Sequence, residues 1–393
     1  MSELEAFRAQ VRAWLAERYP EMDPAKDDER GDTIARASGG HAAMVNGAIE
    51  LQKALYAAGF WATRLPVEYG GKGLTRAHDD VVAEELMRFD CPSLRPLGIG
   101  MGLAMPTILG AAGEEQKRRF LPKLVSAEEV WCQLFSEPDA GSDLVSLRCK
   151  AVRDGDTWVI TGQKVWSSFA SDAQYGMLLA RTDPHSEKPH SGITMFILPM
   201  DRKGVTVVPL VDIAGGHHFN EVFLEDVVLH DHEIIGEVNR GWQVANGTLS
   251  GERSGYLGGS GKGRRLRQAL AAAADAGKLH DPVVRDRIAD ITMQERILEL
   301  LSERIHAGVA LGGNPAAGSL VKVLAGNIEQ LSSELVIDLR GAAGIAWETG
   351  QPDANYPAHA LCGSRQARIA GGTHEIQRNL MGERILGLPR EPK

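Results

Sequence analysis

Trp131–Asp143 reads WCQLFSEPDAGSD. An apolar, aromatic run breaks there into a Pro/Gly/Ser/Asp cluster, which predicts a strand running into a tight loop. Small residues let the backbone approach a ligand closely, and Ser136 and Ser142 can donate and accept hydrogen bonds. Such strand ends are common, so the stretch takes its meaning from two others. GQKVWSS (Gly162–Ser168) follows about 20 residues later, and RIAGGTHEIQRNLMGERILG occupies Arg368–Gly387.

Around the first stretch the hydrophobic period is 2. Leu147–Arg153 and Thr157–Thr161 flank Asp154-Gly155, a strong hairpin pair because both residues tolerate positive φ. Tyr175–Arg181, Ile193–Leu198, Val205–Leu210 and Glu221–Leu224 complete a set of short strands. His217 and His218 fall in the loop before the last of these. They read as surface loop residues rather than metal ligands, since no third ligand stands at helix or hairpin spacing.

Before and after this block the period is 3.6. Leu4, Phe7, Val11, Trp14 and Leu15 share one helical face, and Pro20 ends that helix. Further helices are predicted near Asn46–Ala58, Ala77–Phe89, Pro92–Ala112 and Gly113–Lys123. Beyond Arg240 the pattern predicts long helices over Trp242–Ala276, from Asp281 onward, over Leu320–Leu339 and over Arg365–Ile385. Asp281 is a good N-cap with Pro282 at the first helical position. Four long helices with apolar stripes imply a bundle and an oligomer interface.

Composition bounds the function. The chain has 393 residues, 43 basic against 52 acidic, for a net charge of −9. That balance argues against nucleic acid or an anionic membrane surface as partner. Cys91, Cys132, Cys149 and Cys362 are scattered without a CxxC pair, which suggests reduced thiols and a cytoplasmic setting. The N-terminus is charged from Glu3 onward and does not read as a signal peptide, and no apolar run is long enough to span a membrane.

In order and spacing, the three stretches resemble the acyl-CoA dehydrogenase family, and the resemblance covers nearly the whole chain. It implies an α+β, mainly α fold. A helical N-terminal domain (1–126) would be followed by a middle β-domain, a barrel or sandwich (127–237), and a C-terminal four-helix bundle (238–393). The implied reaction removes an α-proton from an acyl thioester and passes the β-hydride to FAD, forming the trans-2-enoyl-CoA. By the same resemblance Phe135, Ser136, Ser142, Trp166, Ser168, Thr373 and Glu375 contact the flavin. Trp166 would pack on the isoalloxazine and Ser168 bond near N5. Without the motifs, Trp166 would read as a core aromatic in a strand. Glu375 stands where Gln is commoner.

The general base requires a carboxylate. Many relatives carry Glu immediately before the Gly-Thr of the last stretch, but here that residue is Gly371. A minority arrangement, as in isovaleryl-CoA and long-chain acyl-CoA dehydrogenases, places Glu before Arg on the first bundle helix. Gly251-Glu252-Arg253 matches it, so Glu252 is the expected base, with Arg253 beside it on the substrate side, orienting the loop or the base. Gly255, Gly258, Gly259 and Gly263 then share one helical face, although each glycine costs a helix about 1 kcal/mol against alanine. That face suggests a pocket for a bulky or branched acyl group, with Gly255, Gly258 and Gly259 lining it. Close helix packing is the equal alternative.

Two departures concern contacts that cross subunits in relatives. The Arg-x-x-Phe-Gly segment that reaches a neighbour's flavin pyrophosphate is replaced by AGKLHDPVVRDR, in which Arg285 or Arg287 could stand in. The Gln before a Gly-Gly-x-Gly turn is replaced by Asp338 in DLRGAAG. A homotetramer passing electrons to an electron-transfer flavoprotein is the expected assembly. The departures raise a heterotetramer with a paired subunit as an alternative. Rival functions are a flavin-dependent oxygenase of the same fold and a non-catalytic partner subunit.

Overall fold

The computed structural model describes residues 2–22, 40–255, 263–346 and 356–390, with 250–255, 306, 315 and 356 described as backbone alone. The chain divides into two compact units. Met1–Arg18, Ala37–Glu85 and Cys91–Gly251 form the first, and Tyr19–Arg36, Leu86–Asp90 and Glu252–Lys393 the second.

The first unit opens with α1 (Glu3–Ala16), α2 (Gly40–Ala57), α3 (Arg76–Leu86), α4 (Met105–Ala111) and α5 (Glu114–Val125). Ser2 and Glu5 form a reciprocal cap on α1. Arg8 and Arg12 of α1 both bond to Glu85, whose side chain is buried. Gln52 of α2 donates to the carbonyls of Leu124 and Val125, covering the C-terminal end of α5. The segment Pro92–Ala112, expected as one helix, is instead a 3₁₀ turn at Arg95–Leu97, a π turn at Gly100–Ala104 and α4.

Eight strands follow: β1 (Trp131–Leu134), β2 (Lys150–Asp154), β3 (Thr157–Lys164), β4 (Tyr175–Arg181), β5 (Ile193–Pro199), β6 (Val205–Leu210), β7 (Phe219–His230) and β8 (Ile234–Ile235). They form one sheet in the order β6-β7-β3-β2-β4-β5-β8, with β1 added in parallel to β4. The predicted hairpin closes between Asp154 and Thr157. Its central residues are therefore Gly155 and Asp156, and only Gly155 has positive φ. Every residue of β5 from Ile193 to Leu198 is buried, the pattern of a strand covered on both faces.

After the sheet come α6 (Gly241–Gly255), α7 (Arg264–Asp275), α8 (Pro282–His306), α9 (Gly318–Arg340), α10 (Ala342–Ile345), α11 (Tyr356–Ser364) and α12 (His374–Arg384). In the second unit α9 packs against α7, α8, α11 and α12. Ala269, Ala273, Val284, Ile288, Ile291 and Leu335 form its buried core.

Two segments expected as single helices are broken. Before α7 stands Gly263 at φ +69°, and residues 256–262 lie outside the described residues. The segment expected over Arg365–Ile385 is a 3₁₀ turn at Gln366–Arg368 followed by α12. Gly371 at φ +69° and Gly372 at φ +92° separate them. Left-handed residues cannot continue a right-handed helix, and Thr373 starts a new one as its N-cap. The Asp281 cap is present, accepting the N–H groups of Val283 and Val284. Asp281→Ala is expected to cost about 1 kcal/mol, read as a lowered Tm. An unchanged Tm would contradict this role.

Candidate functional site

In β3, Trp158, Ile160 and Lys164 share one face by the two-residue alternation of a strand. That face is inward, so the Lys164 ammonium is carried into the core and is 0% exposed. Its Nζ donates to Glu137 Oε1 at 2.8 Å and to the Phe135 carbonyl at 3.1 Å. Glu137, also buried, accepts the N–H groups of Arg148 at 2.6 Å and Cys149 at 2.9 Å. Val165 N–H donates to the Ser136 carbonyl at 3.0 Å. The loop after β1 and the turn after β3 are therefore tied together, which brings Phe135 and Ser136 to the Trp166–Ser168 turn. Phe135 itself is buried, and Ser142 is exposed farther along its loop.

Trp166 does not follow the parity of β3. Its φ is +60° and it is 60% exposed, so the reading of a core aromatic in a strand is overturned. The buried Ser167 explains the reversal. Its N–H donates to the Asn220 carbonyl and its carbonyl accepts Asn220 Nδ2, each at 3.0 Å. With Ser167 held inward on both backbone groups, Trp166 turns outward and Ser168 stays half-buried. The Phe219 ring meets the indole edge-on at 5.6 Å.

His218 is buried, contrary to its expected place on the surface, whereas His217 is exposed. The His218 carbonyl accepts the Phe169 N–H at 2.7 Å, and its ring lies 4.0 Å from that of Phe219. The strand β7 that begins beside it draws the histidine inward with Asn220. Burial, reinforced by the charge of Arg95, pushes the His218 pKa down to about 4 despite Asp212 nearby.

In the second unit, Thr373 and Glu375 flank the fully buried His374 in the same way that Trp166 and Ser168 flank Ser167. One face of α9 carries Lys322, Gly326, Gln330 and Glu334 at intervals of four. Lys322 donates to the Ala367 carbonyl at 2.8 Å, Arg368 to Gln330 at 2.7 Å and Arg365 to Glu334 at 3.0 Å. The His374 ring fills the space left by Gly326, where a Cβ would come within 2.5 Å of Nε2. Its Nδ1 accepts from Arg368 Nε at 3.3 Å. Burial, then the charges of Lys322, Arg368 and Arg378, push its pKa down to about 4. Thr373 is half-buried and Glu375 exposed.

Glu252 and Arg253 lie in the last turn of α6 and Gly255 ends it, all described as backbone alone. Gly258 and Gly259 lie outside the described residues. Arg287, a candidate for the missing pyrophosphate contact, pairs with Asp338 at 2.6 Å and so joins α8 to α9. Among the described residues, no group of three His, Cys, Asp or Glu side chains could hold a metal ion. No described helix is long and apolar enough to cross a membrane.

Three family profiles match in chain order. Residues 1–128 match the acyl-CoA dehydrogenase N-terminal domain, 132–227 the middle domain and 239–386 the C-terminal domain. The chain belongs to the acyl-CoA dehydrogenase family. It is thus an oxidoreductase, and members of the family are flavoproteins. It is 36% identical to the acyl-CoA dehydrogenase IpdE1 of Mycobacterium tuberculosis (strain ATCC 25618 / H37Rv), over 100% of both chains. Among solved structures, the Tcur3481-Tcur3483 steroid ACAD is 29% identical with a TM-score of 0.81, over 99% of this chain and 98% of that one. The ChsE4-ChsE5 complex from Mycobacterium tuberculosis is 26% identical with a TM-score of 0.79, over 100% of this chain and 99% of that one.

Sequence reasoning missed Lys164, Glu137, Ser167, Asn220, His374 and Gln377 as supports of this acyl-CoA dehydrogenase's motif residues. Lys164 carried a usable sign, a charge on the apolar face of an alternating strand. Removing one partner of such a buried pair leaves the other uncompensated, so Lys164→Met is expected to destabilise the fold by about 3–5 kcal/mol, read by denaturant unfolding. A loss near zero would contradict the pairing.

The pH dependence has a definite sign. Both buried histidines have folded-state pKa values below the unfolded value of about 6.5. The unfolded chain therefore takes up protons first, and stability is full above about pH 6.5 and declines toward about pH 4. His218→Phe keeps an aromatic ring there and removes one titration. Its Tm is expected to fall less steeply over that window than the wild type's; an equal slope would contradict the assignment.

Proposed function

We propose that this acyl-CoA dehydrogenase uses FAD to convert an acyl-CoA thioester to the trans-2-enoyl-CoA, with Glu252 as general base. The Trp166 turn carries the flavin reading. An indole that is 60% exposed and held at φ +60°, in a turn tied to the half-buried Ser136 and continuing into the half-buried Ser168, suits a flat ring with polar edges. The residues proposed to contact the flavin are Phe135, Ser136, Ser142, Trp166, Ser168, Thr373 and Glu375. The bound flavin would supply the hydride acceptor.

The residues of the chain must then take the α-proton. Gly371 has no side chain, and its carbonyl is engaged by Gln377. Glu252, followed by Arg253 on α6, is the carboxylate whose position supports the role. Closing the reaction off from water would raise the carboxylate's pKa toward the working pH. Arg253, with its fixed charge, would orient the base or its loop. Relatives named as dehydrogenases favour this reading over an oxygenase or a silent subunit.

For the substrate we favour a bulky acyl group. The run after Glu252 is rich in glycine, with Gly255, Gly258 and Gly259 in the sequence, and a structural neighbour is named a steroid ACAD. For the assembly we favour a paired, different subunit over a homotetramer. Arg287 is already paired with Asp338, so it is poorly placed to substitute for the absent Arg-x-x-Phe-Gly contact. Two neighbours were solved as two-component complexes. Electrons would leave to an electron-transfer flavoprotein.

General-base catalysis contributes typically 10²–10⁴-fold, so Glu252→Gln is expected to lower kcat by about that factor with flavin content unchanged. Near-normal turnover by that variant would sink the assignment of the base.

A further inference from the structure

Gln377 is fully buried in α12, yet its side chain does not serve the core. Its Nε2 donates back to the Gly371 carbonyl at 2.8 Å and reaches the Gly372 carbonyl at 3.4 Å. Its Oε1 has no partner, a cost in stability that an apolar residue of the same length would avoid. The amide also fits tightly. A Cβ on Gly372 would come within 2.5 Å of Nε2, so the clamp and the glycine require one another.

Both peptides concerned are trans, since no cis bond occurs among the described residues. In a trans peptide the N–H points opposite to the C=O. Drawing the carbonyls of Gly371 and Gly372 toward Gln377 therefore directs the N–H groups of Gly372 and Thr373 away from it. Neither N–H donates to an acceptor among the described residues. Successive left-handed glycines at the start of a helix leave such donors side by side, a backbone arrangement suited to an oxygen acceptor. Farther along, the Glu375 carboxylate takes its own N–H and the Thr373 hydroxyl.

We propose that Gln377 is a positioning residue that aims the N–H groups of Gly372 and Thr373 at an oxygen acceptor of the flavin. The assignment rests on the flavin reading above and deepens it. It makes Thr373 a backbone contact, its own hydroxyl being engaged as the cap of α12. It also adds a second reason for the glycine at 372, whose φ of +92° already favours one.

The test compares wild type, Gln377→Met and Gln377→Glu, each purified with whatever subunit co-purifies. Two quantities are read: the FAD dissociation constant of the flavin-stripped protein and the Tm of that stripped protein. Methionine keeps the length and removes the donor, and glutamate repels the two carbonyls. Two hydrogen bonds are at stake, so FAD is expected to bind about tenfold more weakly to both variants. The Tm of the flavin-free methionine variant is expected to stay within a few degrees of wild type. Ile328→Val, a loss of one buried methylene from α9, should lower Tm and leave FAD affinity unchanged.

Titration with riboflavin locates the acceptor. Equal weakening of riboflavin and FAD puts it on the ring or ribityl chain, and weakening of FAD alone puts it on the pyrophosphate; both support the proposal. Wild-type FAD affinity in both variants, or a loss of Tm without loss of affinity, overturns it while leaving the flavin reading intact. A wild-type protein that holds no flavin overturns both.

Discussion

The buried Lys164–Glu137 pair is the constraint on which the first unit's motif residues depend. An ammonium carried into a core must be matched, because an isolated buried charge costs far more than any single contact returns. Glu137 matches it and accepts two further backbone N–H groups from the segment before β2. One carboxylate therefore joins the ends of β1 and β3 to the approach to β2. The strand-end loop and the Trp166 turn have no freedom to drift apart. An apolar pair of the same volume would pack as well, but it would not fix these three segments in one geometry.

The two motif turns are built alike. In each, a buried central residue is held between one exposed and one half-buried neighbour: Ser167 between Trp166 and Ser168, His374 between Glu375 and Thr373. The anchors differ in chemistry. Ser167 is held through both backbone groups by Asn220, whereas His374 is held through its ring by Arg368 and by the space over Gly326. Each turn uses left-handed backbone, at Trp166 and Phe169 in one and at Gly371 and Gly372 in the other. The positive φ at Trp166 is unusual for a bulky residue, and it persists because the surrounding hydrogen bonds over-determine it.

Much of this was legible in the chain. The strand limits of β4 and β6, the Asp281 cap and the three motif stretches followed from period, turn residues and order. What was not legible depended on tertiary partners. Trp166 shares the parity of Trp158 and Ile160, so alternation alone would put it in the core, where the motif resemblance instead expects a flavin contact; the anchoring of Ser167 by a distant strand is what turns it outward. His218 lay in a glycine-flanked loop and read as exposed, yet the strand that starts beside it draws it inward. The helix expected over Arg365–Ile385 kept its period through Gly371-Gly372, and the break came from backbone conformation, to which hydrophobic spacing is blind. The histidine at 374 had no partner visible in sequence, because Gly326 lies 48 residues earlier and marks its seat by lacking a side chain.

The most direct measurement of the central claim is the visible spectrum of the purified protein, with any co-purifying subunit, titrated anaerobically with a panel of acyl-CoA thioesters. The account predicts oxidised flavin bands that bleach on addition of a bulky acyl-CoA, in the absence of any external reductant. A protein that remains colourless after incubation with FAD, or a bound flavin that no acyl-CoA reduces, would contradict it.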